Sequence, residues 1–238
     1  MTNFLLVHGA WHGGWCWRRV SKILRAEGHE VFTPTLTGLG EKRHLLSPAV
    51  GLDTHIDDVH GLLMFEDLTE TVLVGHSYAG MVITGVAERV PERLARLIYV
   101  DAFVPTDGQS ICDFRPPDLL RSYQEKVRDE GDGYMLNPPS PDAFGIADEV
   151  DRAWVGSKLT PHPFKTQIDK LTVCNPAAAE LPKAYIYCTN PPAGPLDQFV
   201  DKIRADHAWE FRELATGHDA MITEPERLAK MLVELSVG

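Results

Sequence analysis

The chain has 238 residues, enough for one α/β domain with a sizeable core and an insertion. Its 23 Lys and Arg face 34 Asp and Glu, and the net charge of −11 argues against nucleic acid or an anionic membrane as the main partner. No apolar run reaches the roughly 18 residues of a transmembrane helix, and Cys16, Cys112, Cys174 and Cys188 form neither a C-x-x-C pair nor a cluster with histidine.

Met1-Thr2-Asn3-Phe4 carries no basic leader and enters a strand at Phe4–Val7, so a cytoplasmic protein with reduced thiols is expected. Trp17, Val20 and Leu24 mark one face of a helix that ends at Gly28. Glu30–Thr33 reads as the second strand, and Leu52, Ile56, Val59 and Leu63 recur at helical spacing before a third at Thr71–Val74. Met81–Ala87 reads as a buried helix closed by Val90-Pro91, followed by a fourth strand at Arg96–Val100. Ala184–Thr189 and Trp209–Leu214 are the fifth and sixth strands, with Leu196, Phe199, Val200 and Ile203 on a helix between them. A last helix starts near Glu224, with Thr223 and Glu226 as an expected capping box.

This alternation predicts a doubly wound, mostly parallel sheet of about six strands. The gap between the fourth and fifth strands breaks it with Pro-rich turns and short amphipathic pieces. A connection that long is seldom plain loop, so residues 106–182 are read as a lid on a core formed by 1–105 and 183–238.

Gly75-His76-Ser77-Tyr78-Ala79-Gly80 joins the third strand to the following helix. A serine on such a turn, with small residues two before and two after, matches the G-x-S-x-G nucleophile elbow except at Ala79. The small residues relieve collisions at a strained turn, and the Tyr78 N–H faces the place where an oxyanion would develop. The alternative is an ordinary strand–turn–helix with a solvent-facing serine. Catalytic groups on an open parallel sheet sit at the carboxyl ends of its strands, and this filters the ten histidines. His29 and His207 precede strands, and His76 is locked in the elbow. His44, His55, His60 and His162 are expected at the surface. His218, directly after the sixth strand in Thr216-Gly217-His218-Asp219-Ala220, is the candidate base. Strand order 2-1-3-4-5-6 sets the loop His8-Gly9-Ala10-Trp11-His12-Gly13-Gly14 beside Ser77, which makes the Ala10 N–H the second oxyanion donor.

His8-Gly9-Ala10-Trp11-His12-Gly13-Gly14-Trp15, the elbow and the Gly217-His218 loop resemble the α/β-hydrolase fold. More narrowly, they resemble its branch of plant methylesterases, hydroxynitrile lyases and bacterial small-ester or carbamate esterases. The resemblance implies an α/β-hydrolase sheet with a lid, a small-molecule ester substrate and, as related enzymes often dimerise, a homodimer.

In most of the fold the acid follows the fifth strand, but that loop here reads Cys188-Thr189-Asn190-Pro191-Pro192-Ala193-Gly194-Pro195, with no carboxylate before Asp197. Asp197 opens a helix, where an Asp is structural by default. Asp101, directly after the fourth strand, is preferred over Asp197, a purely structural Asp101 being the third option. Ser77, His218 and an Asp imply acyl-enzyme chemistry without a metal or organic cofactor. Cleavage of a small ester leads, with a carbamate or activated amide as a close variant. Lyases of this branch carry Thr at the place of Gly9 and Lys beside the catalytic His, where this chain has Asp219. A carboxylate there is expected to repel a cyanide leaving group. A small-molecule receptor that kept the fold, and a cofactor-free oxygenase, are the other classes. Trp11 and Trp15, flanking the oxyanion loop, and Trp154, in the lid with Tyr134, Met135, Phe144 and Phe164, are weak candidates for lining a pocket that would favour aromatic or cyclic esters.

Overall fold

A computed structural model describes residues 1–237. Its strands are Asn3–Val7 (β1), Glu30–Phe32 (β2), Thr71–His76 (β3), Leu94–Val100 (β4), Lys183–Cys188 (β5) and Trp209–Leu214 (β6). They form one sheet in the order β2-β1-β3-β4-β5-β6, and every neighbouring pair is parallel. The reversal of order between β1 and β3 opens the crevice where such sheets place their ligands.

A parallel sheet is buried on both faces, so its strands are apolar throughout instead of alternating with polar residues. Leu5, Val7, Leu73, Leu97 and Tyr99 pack on one side against the helices Leu52–Phe65 (α2), Ala79–Arg89 (α3) and Asp197–Ala205 (α6). Phe4, Leu6, Val72, Val74, Ile98 and Val100 pack on the other against Arg18–Ala26 (α1) and Pro225–Ser236 (α7). Val7 stands opposite Gly75, and His76 opposite Val100, so β1, β3 and β4 end side by side.

The expected capping box before α7 does not form. Thr223 ends a separate short helix, Ala220–Thr223, and its hydroxyl bonds Thr216 Oγ1 (2.6 Å) and the Asp219 carbonyl (3.2 Å). Pro225 opens α7 instead, at a position where its missing N–H costs nothing.

Between β4 and β5 the chain forms the helices Pro117–Glu130 (α4) and Glu149–Gly156 (α5) and a two-residue antiparallel pairing of Met135–Leu136 with His162–Pro163. This segment grips the loop after β1 at Trp11. The indole N–H donates to the Leu136 carbonyl (2.9 Å), and the Thr160 N–H donates to the Trp11 carbonyl (3.0 Å). Among the described residues no helix is long and apolar enough to cross a membrane. All four cysteines are free.

Candidate active site

Three non-glycine residues with left-handed backbones sit at the ends of the strands that meet at the crevice. Trp11 (φ 64°) follows β1, Ser77 (φ 56°) follows β3 and Asp101 (φ 42°) follows β4. Such conformations cost of order 1–3 kcal/mol and persist where the surroundings impose them. At Ser77 the surroundings are visible: its N–H donates to the Val100 carbonyl (3.2 Å) and its carbonyl accepts from the Phe103 N–H (3.1 Å). The glycines beside it have no room for a side chain. A Cβ on Gly75 would meet the Ala79 carbonyl oxygen at 2.8 Å, and one on Gly80 would lie 1.9 Å from that of Phe103.

His218, 9% exposed, places Nδ1 2.6 Å from Oδ2 of the fully buried Asp101. The other Asp101 oxygen accepts from the Cys188 N–H (3.2 Å), so β5 offers this carboxylate a backbone amide. With Nδ1–H directed at Asp101, the lone pair of the imidazole is on Nε2, the arrangement a general base requires. Asp197 stands apart on the exposed start of α6, accepting from the Tyr187 hydroxyl (2.7 Å).

A network of buried histidines fixes the walls around this pair. His76 donates from Nε2 to the His218 carbonyl (2.9 Å), and the two rings lie 4.5 Å apart. Burial, reinforced by His218, holds His76 well below the ordinary imidazole range, hence neutral. His8 accepts the Leu36 N–H at Nε2 (3.1 Å) and donates from Nδ1 to Gly9 O (2.8 Å); burial lowers its pKa to about 3. His12 differs. Its Nδ1 faces the Ala10 carbonyl (2.8 Å) and its Nε2 faces Asp219 Oδ2 (3.0 Å), two acceptors that favour the doubly protonated ring. Burial alone would lower its pKa, but Asp219 overrides that and raises it, while His12 in turn holds Asp219 below the usual carboxylate range against the opposing effect of burial. This ion pair joins the loop after β1 to the loop that carries His218.

The Ala10 and Tyr78 amides donate to no side chain and no loop carbonyl among the described residues. Both therefore suit an oxyanion. Gly9 brings the first loop close, since a Cβ on it would stand 2.9 Å from Ser77 Cβ. Ser77 and His218 line one cavity of about 200 Å³ together with Trp11, Phe103, Tyr123 and Phe144.

A family model described as the alpha/beta hydrolase family matches residues 4–231. The chain belongs to that family. It is 37% identical over 243 residues to the carbendazim hydrolyzing esterase of Nocardioides sp. (strain SG-4G), covering 99% of this chain and 100% of that one. It is 28% identical to salicylic acid-binding protein 2 of Nicotiana tabacum, covering 98% of this chain and 96% of the other. Among solved structures, an extracellular alpha/beta-hydrolase from a Paenibacillus species superimposes with a TM-score of 0.88 at 29% identity, covering 100% of both chains.

In this alpha/beta hydrolase Ser77, His218 and Trp11 line one cavity, Asp101 is bonded to His218, and Ala10 and Tyr78 lie next in sequence to Gly9 and Ser77, which approach each other closely. Trp15 and Trp154 do not line the cavity. Trp15 stacks on His12 (5.3 Å) and meets Trp154 edge-on (5.3 Å), with the Arg19 guanidinium 5.4 Å from the Trp154 ring. These contacts hold both indoles outside the cavity. Of the other aromatics expected in the lid, Phe144 alone is among the lining residues.

His55 and His162, expected at the surface, are fully buried. His55 donates from Nε2 to the Thr37 carbonyl (2.8 Å) and accepts the Tyr78 hydroxyl at Nδ1 (2.8 Å). His162 donates from Nε2 to Thr166 Oγ1 (2.7 Å) and accepts the Trp11 N–H at Nδ1 (3.4 Å). The α2 stripe carried a signal for His55, which lies three residues after Leu52 and four before Val59 on the inward face. Asp219 is fully buried and engaged by His12, so its charge does not face the cavity as a repulsive group.

Proposed function

We propose that this chain is a serine carboxylic ester hydrolase for small esters, with a carbamate or activated amide as a related substrate. Ser77 Oγ attacks the carbonyl carbon while His218 Nε2 accepts its proton, and the Ala10 and Tyr78 amides receive the oxyanion. His218 returns the proton to the departing alcohol, leaving an acyl group on Ser77. Water then repeats the sequence and releases the acid. Asp101 keeps His218 in the required tautomer and balances the imidazolium that forms twice per turnover. The observation that carries the reading is the 2.6 Å contact of His218 with Asp101 at a cavity that Ser77 also lines. The resemblance to an esterase over the whole chain supports it. The aromatic walls Trp11, Phe103, Tyr123 and Phe144 favour aromatic or cyclic esters.

The lyase alternative loses one counter-argument, since the Asp219 charge is neutralised by His12, and keeps another. A threonine at position 9 would put its Cβ 2.9 Å from Ser77 Cβ and 3.0 Å from His76 Nδ1. Position 219, where such lyases carry lysine, holds a buried carboxylate instead. Four free cysteines suit a reducing compartment such as the cytoplasm.

An ester panel varied separately in acyl and alcohol parts, run beside Ser77→Ala, tests the proposal. Turnover by the parent chain that disappears in Ser77→Ala is expected. Mandelonitrile cleavage without ester cleavage would replace it with the lyase.

A further inference from the structure

Arg115 lines the same cavity as Ser77 and His218. No other lining residue is an Asp, Glu, Lys or Arg, and most are apolar: Phe103, Pro139, Ala143, Phe144 and Leu196 form much of the wall. Arg115 is half-buried, so its guanidinium lies along this apolar surface while its charge stays open to an anionic ligand. No carboxylate among the described residues lies within ion-pair distance of it. The nearest acid in sequence, Asp113, is committed elsewhere, accepting from the Ser110 N–H (2.7 Å) and hydroxyl (2.8 Å).

Arg115 is also held in place. One Nη2 hydrogen goes to Gln167 Oε1 (2.9 Å), and the guanidinium carbon sits 4.2 Å from the Tyr123 ring centroid. Gln167 is itself 3% exposed, and its amide nitrogen turns to Thr166 Oγ1 (3.4 Å), which presents the amide oxygen to Arg115. A stacked guanidinium with one donor engaged keeps the others for a planar acceptor, the geometry in which arginine grips a carboxylate with two parallel hydrogen bonds.

We propose that Arg115 is an anion-binding subsite, and that the preferred substrates are small esters carrying a second, free carboxylate away from the scissile carbonyl. This rests on the ester hydrolase reading for its chemistry but on Arg115 alone for its binding. A cavity of about 200 Å³ limits the body between the two groups to a short chain or one ring.

The test compares monomethyl and dimethyl esters of one diacid, adipate for a chain and terephthalate for a ring, in the parent chain and in Arg115→Gln and Arg115→Lys. The parent should favour at least one monoester over its diester. Arg115→Gln should lower kcat/KM for that monoester roughly ten- to hundredfold, mainly through KM, and change the diester by no more than about two- to threefold. Arg115→Lys should fall between them. Equal losses on both esters would make Arg115 a packing residue and overturn the proposal, as would diester preference in the parent for both diacids. A second readout needs no turnover and no variant of Arg115: free adipate or terephthalate should bind Ser77→Ala by calorimetry, and more tightly than the neutral dimethyl esters. Diacid binding that is absent there overturns the subsite even if Arg115→Gln fails to fold. Diacid binding without ester turnover by the parent would overturn the hydrolase reading and leave the subsite standing.

Discussion

Asp219→Asn removes one charge from the buried His12–Asp219 pair while keeping the shape and one acceptor oxygen. Both side chains are almost fully buried, 1% and 0% exposed, at 3.0 Å. Breaking such a pair costs about 3–5 kcal/mol when the remaining charge is stranded. Here His12 can shed its proton and still donate to the new amide oxygen, which brings the expected loss to about 2–4 kcal/mol. For a chain of this size that lowers Tm by about 5–15 °C. The effect depends on pH with a definite sign. His12 has a raised pKa, so its contribution is complete below the unfolded histidine value and fades as pH rises through the folded one. Asp219 has a lowered pKa, so its contribution is complete above the unfolded aspartate value and fades as pH falls through the folded one. The gap between parent and variant should therefore be widest between about pH 4 and 6.5 and should narrow in alkali. Because His12 also holds the Ala10 carbonyl and Asp219 adjoins His218, kcat should fall about ten- to hundredfold through misplacement of the oxyanion loop. Thermal unfolding at pH 5, 7 and 9, with kcat on a neutral ester, measures both. Equal Tm values for parent and variant at all three pH values would refute a charged pair.

Asp101→Asn should reduce kcat by about 10⁴ while Asp197→Asn stays near the parent rate; the reverse result would move the acid to Asp197. Tyr78→Phe removes the hydroxyl that bonds His55 and should cost about 1–3 kcal/mol of stability, yet leave kcat nearly unchanged because the backbone N–H is the proposed oxyanion donor. Denaturant unfolding and steady-state kinetics on the same preparation separate the two effects. Gly80→Ala puts a Cβ 1.9 Å from the Phe103 carbonyl oxygen and should cost about 3 kcal/mol or more, read as loss of soluble protein or a lower unfolding midpoint. A variant as stable as the parent would show that the helix after Ser77 can shift away from Phe103.

The sheet was legible because doubly covered parallel strands write themselves as apolar runs, and its order followed from the right-handed crossover rule. Only boundaries moved, as where β3 continues through Gly75 and His76. The crevice was legible through Ser77, Ala10 and His218, since each follows a strand at a predictable edge. The long insertion was not. Its elements are short, and what decides which side chains enter the cavity is their docking on the core; nothing in the spacing marks Arg115 and Tyr123, whereas Trp15, beside the oxyanion loop, and Trp154, in the insertion, pair with each other. The His12–Asp219 pair bridges 207 positions, beyond any spacing rule. From its place beside His218, Asp219 reads as a charge facing the reaction; burial and the pair with His12 turn it inward.

Acyl-enzyme formation on Ser77 tests the central claim most directly. An aryl ester should be mixed with the protein, quenched in acid within the first turnover, and the digest analysed by mass spectrometry. The account predicts an acyl increment on the peptide containing Ser77, formed in step with a burst of the phenol, and its absence in Ser77→Ala. Turnover with no adduct in the parent chain, or an adduct confined to another residue while Ser77→Ala keeps its rate, would contradict it.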